Sequence, residues 1–344
     1  MPKNLVVFII LLGVLMFIVG CAAVEPEPAE QTKVPASEVK PVEVKPTIEP
    51  VIVEPNEIEP VRSEPNLVEP NFVEPNFVEP AKSKPLPRVS FHDKCADILR
   101  NFVDENGMVD YKTLRRNRLE LKNLLDEFRR LETSVYNSWP EADKIAFWIN
   151  AYNTQLLRII VENYPIEPSR WRLLLWPPTS IRHIEGDIEG IWSNNKFIVM
   201  EEEFTLSAVE SRFFRQVFDE PRVFFALSRA SISGPPLRNE PYYGEKLNEQ
   251  LDDQTSKFLS GTYGFRIDRE NKKVYLSSLL QPNGFGNEFI SKYGTDKKFK
   301  DQQPAVRAVL NFVTNYIPAK DVSFLEVENY SVKYIKYDWR LNEQ

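Results

Sequence analysis

Ser138-Trp139-Pro140-Glu141, followed by Lys144-Ile145-Ala146-Phe147-Trp148-Ile149-Asn150-Ala151-Tyr152-Asn153, is the stretch from which the fold of this 344-residue chain is read. Serine, then proline inside the first turn, then glutamate three places on is a signature of a helix N-terminus. Ile145, Phe147, Trp148, Ile149, Tyr152, Leu156, Ile159 and Ile160 occupy more than one face of the helix that follows, which Tyr164-Pro165 stops near Asn163. A helix that is apolar on several faces is buried. This segment is therefore expected to be the central helix of the core, and Asn150 and Asn153 within it need hydrogen-bond partners. The two amides are candidates either to line a ligand site or to cross-brace neighbouring loops.

Outward from this helix, Ile98, Leu99, Phe102 and Val103 form an apolar stripe that Asn106-Gly107 is expected to cap. A second helix is expected through Leu114, Leu121, Leu124, Leu125, Phe128 and Leu131. On the C-terminal side the pattern predicts a hairpin over residues 187–200, turning at Asn194-Asn195. A helix over 207–218, a buried strand over 222–227 and a loop through Gly234-Pro235-Pro236 follow. Further on come a helix over 247–259, a hairpin of 265–267 with 274–276, a helix over 305–316 and a strand over 332–337. Helices in two groups with hairpins between them predict an α+β fold, one mixed domain over residues 89–344.

The first 88 residues have a different composition. Residues 24–88 hold 14 of the 27 prolines and 13 Glu against 7 Lys or Arg, whereas residues 89–344 hold 35 basic against 37 acidic side chains. Glu-Pro recurs at 49–50, 54–55, 59–60, 64–65, 69–70, 74–75 and 79–80, a strict five-residue period. Such a segment cannot build a core, and fixed φ angles with repelling glutamates make it a semi-rigid, disordered spacer. Before it, an apolar run over residues 5–19 is too short to span a bilayer and reads as a secretory signal over 1–20. The run ends in Ile18-Val19-Gly20-Cys21, which resembles the bacterial lipobox. That resemblance implies lipidation of Cys21, with Ala22 behind it favouring the outer membrane, facing the periplasm. The expected partners are the lipid bilayer through acylated Cys21 and an envelope protein or small molecule. Two cysteines and two histidines leave little for a metal centre, no glycine-rich phosphate loop appears, and the acidic balance argues against nucleic acid. No cofactor is expected.

The run of residues 144–153 closely resembles the hallmark of the family called domain of unknown function 547. Phe204-Thr205-Leu206 with Val209-Glu210, then residues 221–227, Pro235-Pro236-Leu237-Arg238 and Tyr337-Asp338-Trp339-Arg340-Leu341-Asn342 follow in the family's order. The family pattern carries a histidine after the glutamate and two cysteines further on. This chain has Ser211, Arg229 and Gly234 at those places, so a thiolate nucleophile and its base are both replaced. Glu210 is either an orienting carboxylate or half of a Ser207/Glu210 capping box. A buried cation at Arg229 requires a carboxylate, and Glu210 is the expected one. Glu210, Ser211, Arg229 and Ser231 are thus the candidate pocket, and Asn150, Asn153 and Arg238 the candidate ligand-binding residues. His92 and Cys95, three apart, would share a helix face, and His183 is isolated in a loop. The leading expectation is a lipid-anchored exported protein whose domain binds and does not catalyse. The rivals are a hydrolase or transferase for an amide or thioester using Ser211, Ser228 or Ser231, and a structural envelope tether.

Overall fold

The computed structural model describes residues 90–168, 170, 172–184 and 188–344. The expected signal peptide (1–20), Cys21 and the spacer (21–88) lie outside the described residues. Helix α1, Ser90–Phe102, brings Cys95, Ile98, Leu99 and Phe102 into the core. It stops before Asn106-Gly107. Asp104 Oδ1 accepts from the backbone N–H groups of Asn106 and Met108, both at 2.8 Å, and Val103 pairs with Val109 across the resulting turn. Gly107 closes that turn at φ +80°, and a Cβ there would stand 2.6 Å from Pro236 Cβ, so both conformation and space demand glycine.

The helix expected through residues 114–131 is two helices, α2 (Tyr111–Arg116) and α3 (Arg118–Arg130), broken at Asn117. Asp110 caps α2 by accepting from Thr113 N–H at 2.9 Å. After the short α4, Thr133–Asn137, comes the central helix α5, Glu141–Asn163, with sixteen of its 23 residues buried. Pro140 occupies its N-cap without a side-chain bond, and Ser138 instead donates to Val135 O at 2.7 Å, finishing α4. The helix therefore starts without a capping side chain, from the fixed φ of Pro140 and with Glu141 and Asp143 in its first turn. Each large apolar side chain buried on α5 stabilises the fold by about 1.5–3 kcal/mol. Trp148 shows how tightly they pack, stacking on Phe213 at 3.9 Å and donating Nε1–H to Tyr136 OH at 2.9 Å.

The segment after α5 differs from expectation in its first arm. Ile188–Asn194 is a helix, α6, and Asn195 ends it by donating to Ile191 O at 3.1 Å. The hairpin lies one arm further on, β1 (Phe197–Val199) against β2 (Glu202–Phe204), turning at Met200 and Glu201 with φ 51° and 60°. Next comes α7, Leu206–Val209, capped by Thr205, whose Oγ1 accepts from Ala208 N–H at 3.1 Å. Its last turn widens into a π turn over Glu210–Phe214. Val223–Ala226 is also helical (α8) where a strand was expected, because a short, wholly buried apolar run has no period that separates the two.

The remaining elements are α9 (Leu247–Ser260), β3 (Phe265–Asp268), β4 (Lys273–Ser277), α10 (Ile290–Tyr293), α11 (Pro304–Val313), α12 (Ala319–Val327) and β5 (Ser331–Ile335). β3 and β4 are antiparallel, with Phe265 opposite Leu276, while β5 runs parallel to β4, with Val274 opposite Val332. Two small sheets among helices make the fold α+β, as the sequence predicts. The C-terminal segment then threads back as a strap. Ser233 Oγ accepts from Asp338 N–H at 2.7 Å, Ile232 N–H donates to Arg340 O at 2.8 Å, and Asn342 binds Gly107 O and Tyr111 OH. No helix among the described residues is long and apolar enough to cross a membrane.

Candidate functional site

The π turn sets the geometry of the centre. Glu210, on its first position, is buried, whereas Ser211 beside it is exposed to solvent. Glu210 Oε1 lies 3.1 Å from Arg229 Nη1, and Arg229 Nη2 donates to Oε2 at 3.2 Å, so the guanidinium fork grips both carboxylate oxygens. Tyr152 OH donates to Oε1 at 2.7 Å and itself accepts from Trp192 Nε1–H at 2.7 Å. Arg215 stands 4.0 Å from Oε2 and also pairs with Glu288. The Arg229 cation lies 4.7 Å from the Phe285 ring and 5.4 Å from that of Trp192.

Burial opposes the charge on Arg229, but the adjacent Glu210 carboxylate outweighs it and holds the guanidinium above its ordinary pKa. Burial likewise pushes Tyr152 well above the usual phenol range, partly offset by Arg229, so Tyr152 serves as a neutral donor. Glu210 spends its carboxylate on Tyr152 and two arginines, not on the helix terminus, which replaces the capping-box expectation. Thr205 holds the cap that Ser207 and Glu210 were expected to share.

Ser231 lies in the loop that carries Arg229, buried, with its Oγ 2.5 Å from Tyr337 OH. Burial, opposed by the Ser231 bond and by Arg229, pushes the Tyr337 phenol up to about 12. It is protonated near neutral pH and is no base for a serine nucleophile. A Cβ placed on Gly234 would stand 2.8 Å from Arg229 Cβ and 3.1 Å from Ser231 Oγ. Positions 229 and 234, where the family pattern has its two cysteines, are therefore neighbours in space. Beside them opens a cleft of about 340 Å³ lined by Ser231, Gly234, Tyr263 and Asn342.

The other candidates are placed as follows. Asn150 donates to Tyr242 O at 2.8 Å and accepts from Tyr242 N–H at 2.9 Å. Asn153 does the same for the loop after α8, donating to Ala226 O and accepting from Ser228 N–H, both at 2.9 Å. Both amides thus cross-brace loops onto α5. Arg238 pairs with Glu240 at 2.7 Å and with Asp253 at the surface. Cys95 is buried beside Thr154 and its thiol is pushed up to about 12 by burial, so it is no thiolate, while His92 packs against the Tyr243 ring. His183 is buried and its Nε2 lies 2.7 Å from Pro177 O. No cluster of three metal-ligating side chains occurs among the described residues.

Tyr152, Trp192 and Tyr337 are the members of the centre that sequence reasoning missed. Tyr152 stands inside the 144–153 run, and only a buried charge nearby gives its hydroxyl a role. Gln155, one turn further along α5, is fully buried with neither amide atom hydrogen-bonded among the described residues. The family model described as "Protein of unknown function, DUF547" matches residues 136–259, from α4 to the end of α9. No curated protein and no solved structure matches the chain.

Proposed function

Residues 136–259 make this chain a DUF547 family member, and from that premise we propose that it presents a non-catalytic binding domain in a bacterial cell envelope. The observation that carries this reading is the doubly bonded Arg229–Glu210 pair, which sits where the family pattern has a cysteine. A guanidinium cannot act as a nucleophile, and this one fixes the neighbouring carboxylate as its counter-ion. Ser231 has a partner but no base, and Ser211 faces solvent away from Glu210's buried carboxylate. The cleft beside Ser231 and Gly234 is the concave surface left at the altered positions, and a small ligand or a partner's side chain would seat there.

In this reading Cys21 is acylated, the spacer of residues 21–88 holds the domain off the membrane, and the outer membrane's periplasmic face is its location. The lipobox-like Ile18-Val19-Gly20-Cys21 supports the anchor. Treatment of the purified protein with a fluorophosphonate probe tests the non-catalytic reading. No stoichiometric label is expected, and label on Ser231 that disappears in Ser231→Ala would establish a serine enzyme instead. Metabolic labelling with a fatty acid tests the anchor, since label should be absent from Cys21→Ser. Equal labelling of both forms would refute it.

A further inference from the structure

The chain that leaves α5 forms a loop whose two ends are pinned to the C-terminal strap. At one end Tyr164 OH donates to Glu343, and at the other Leu341 N–H donates to Thr179 O at 3.1 Å and Ser180 pairs with Arg340. Arg340 and Glu343 are three residues apart, so these two anchor points on the strap stand within about 10 Å of each other. Between the ends, Arg172–Leu174 makes a single 3-10 turn that leaves Leu173 44 %, Leu174 86 % and Leu175 63 % exposed. Three adjacent leucines in water are unfavourable, yet the loop holds them there on a bonded base. Arg172 Nη1 donates to Arg182 O at 3.0 Å and Ile184 O at 3.3 Å, and Leu175 and Trp176 N–H both donate to Arg172 O at 2.9 Å. The Arg182 cation lies 4.1 Å from the Trp176 ring and 4.1 Å from that of Trp339.

The charge around this base is positive. Residues 165–184 hold three Arg and one Glu. A concavity of about 740 Å³ at Tyr164 and Pro165, where the loop begins, is lined by Lys112, Arg115, Arg116 and Arg118 and by no Asp or Glu. A groove of about 910 Å³ between α3, the last turns of α5 and the start of β1 shares Arg115 and Arg118 with it, and together eight Lys or Arg and three Asp or Glu line the two. Arg129, Arg158 and Lys196 have carboxylates, Glu201 at 3.6 Å, Glu162 at 3.5 Å and Glu203 at 2.9 Å. Arg115, Arg118 and Lys122 have none within 4 Å among the described residues.

We infer that the turn over residues 172–176 is a membrane-contact site, seating Leu173, Leu174 and Leu175 at the acyl boundary of an anionic bilayer with the cations of α2 and α3 against its headgroups. Leucine at the tip, tryptophan behind it and arginine at the base match the order of acyl chains, headgroup boundary and phosphates that an interfacial segment meets. A partner protein would have to place a carboxylate opposite each cation, whereas a sheet of anionic headgroups answers cations at any spacing. Three leucines give a weak, reversible attachment, which suits a domain carried on a spacer. The contact depends neither on lipidation of Cys21 nor on the chemistry at Arg229.

The test uses the purified full chain with Cys21→Ser and Leu174→Cys, labelled on the new thiol with an environment-sensitive fluorophore, while Cys95, 2 % exposed, stays unlabelled. On vesicles of equal parts phosphatidylglycerol and phosphatidylethanolamine, the emission should shift to the blue and be quenched by nitroxides on the acyl chains. Vesicles of phosphatidylcholine alone should need at least about tenfold more lipid, and so should Arg115→Glu with Arg118→Glu on the anionic vesicles. Leu173→Ser with Leu175→Ser should lower the quenching several-fold with an unchanged far-ultraviolet circular dichroism spectrum. A label at Val327→Cys, an exposed apolar position next to Glu328, which pairs with Lys272 at 3.6 Å, should report no lipid. Equal quenching at both labels, or quenching indifferent to either variant pair, would overturn the proposal and give the attachment to another part of the chain. So would a label that ignores the vesicles, and so would one already shielded without lipid in a chain that elutes as a dimer, which would assign the leucines to a second copy.

Discussion

Two regions of this domain handle positive charge in opposite ways. At Glu210 every cation is answered: Arg229 grips both carboxylate oxygens, Arg215 has Glu288, and aromatic rings close the remaining sides. On the face of α2 and α3, cations are crowded together and several go unanswered. Burial explains the difference. A charge removed from water must be paired within the fold, whereas an exposed one is left in solvent at little cost and remains free for a partner. The first region therefore fixes geometry, and the second leaves its charge in solvent.

The comparison can be broken by removing one member of each. Glu210→Ala would leave Arg229 buried without its counter-ion, and a loss of about 3–5 kcal/mol in denaturant unfolding is expected. Arg222, whose side chain is as little exposed as that of Arg229, is expected to have a smaller effect. It holds Glu220 at 2.7 Å through Nε and Asp252 at 2.8 Å, and Arg222→Met should cost about 1–3 kcal/mol. Burial works against the Glu220 charge, but Arg222 more than offsets it, and the carboxyl lies below its ordinary 4.5. The sign follows from that depression. Stability from this pair is complete above about pH 4.5 and is lost as pH falls through the lower folded value. The acid limb of a stability–pH curve should thus be shallower in Arg222→Met.

Gln155 sharpens the rule for uncharged groups. With both amide atoms buried and unbonded, Gln155→Met should leave the protein as stable or more stable by about 1 kcal/mol. The smallest effect belongs to the exposed face, where Arg115→Glu with Arg118→Glu should change unfolding stability by less than about 0.5 kcal/mol. A loss of several kcal/mol there would show that those cations hold the fold together, and the contrast between the regions would fail.

Much of this was legible from residues. The central helix followed from Ile145 to Ile160 occupying several faces, and the β3–β4 hairpin, α9 and α11 from ordinary periodicity and turn chemistry. Failures fell where local rules compete. Val223-Phe224-Phe225-Ala226 is buried on all sides, so strand and helix leave the same pattern. Asn194-Asn195 suits a hairpin turn and a helix end equally, and the turn formed instead at Met200 and Glu201, whose positive φ no residue type announces. Ser207 and Glu210 have capping-box spacing, yet Thr205 took the cap and the π turn aimed Glu210 inward. The Glu210–Arg229 contact was readable only because a buried arginine demands a carboxylate. Tyr152, Trp192 and Tyr337 were not, since their roles depend on tertiary neighbours. The basic groove was equally hidden, because its cations come from α2, α3, α5 and Lys196 before β1 and cancel in the domain's total charge.

A double-mutant cycle at Glu210 and Arg229 by denaturant unfolding tests most directly whether this centre is a fixed structural pair. Glu210→Leu and Arg229→Met should each cost about 3–5 kcal/mol, and the double variant, which leaves no unpaired charge, should recover at least about 2 kcal/mol of the summed loss. Near-neutral single variants with additive effects would contradict it, showing that the pair is dispensable to the fold and that its retention calls for a role in chemistry.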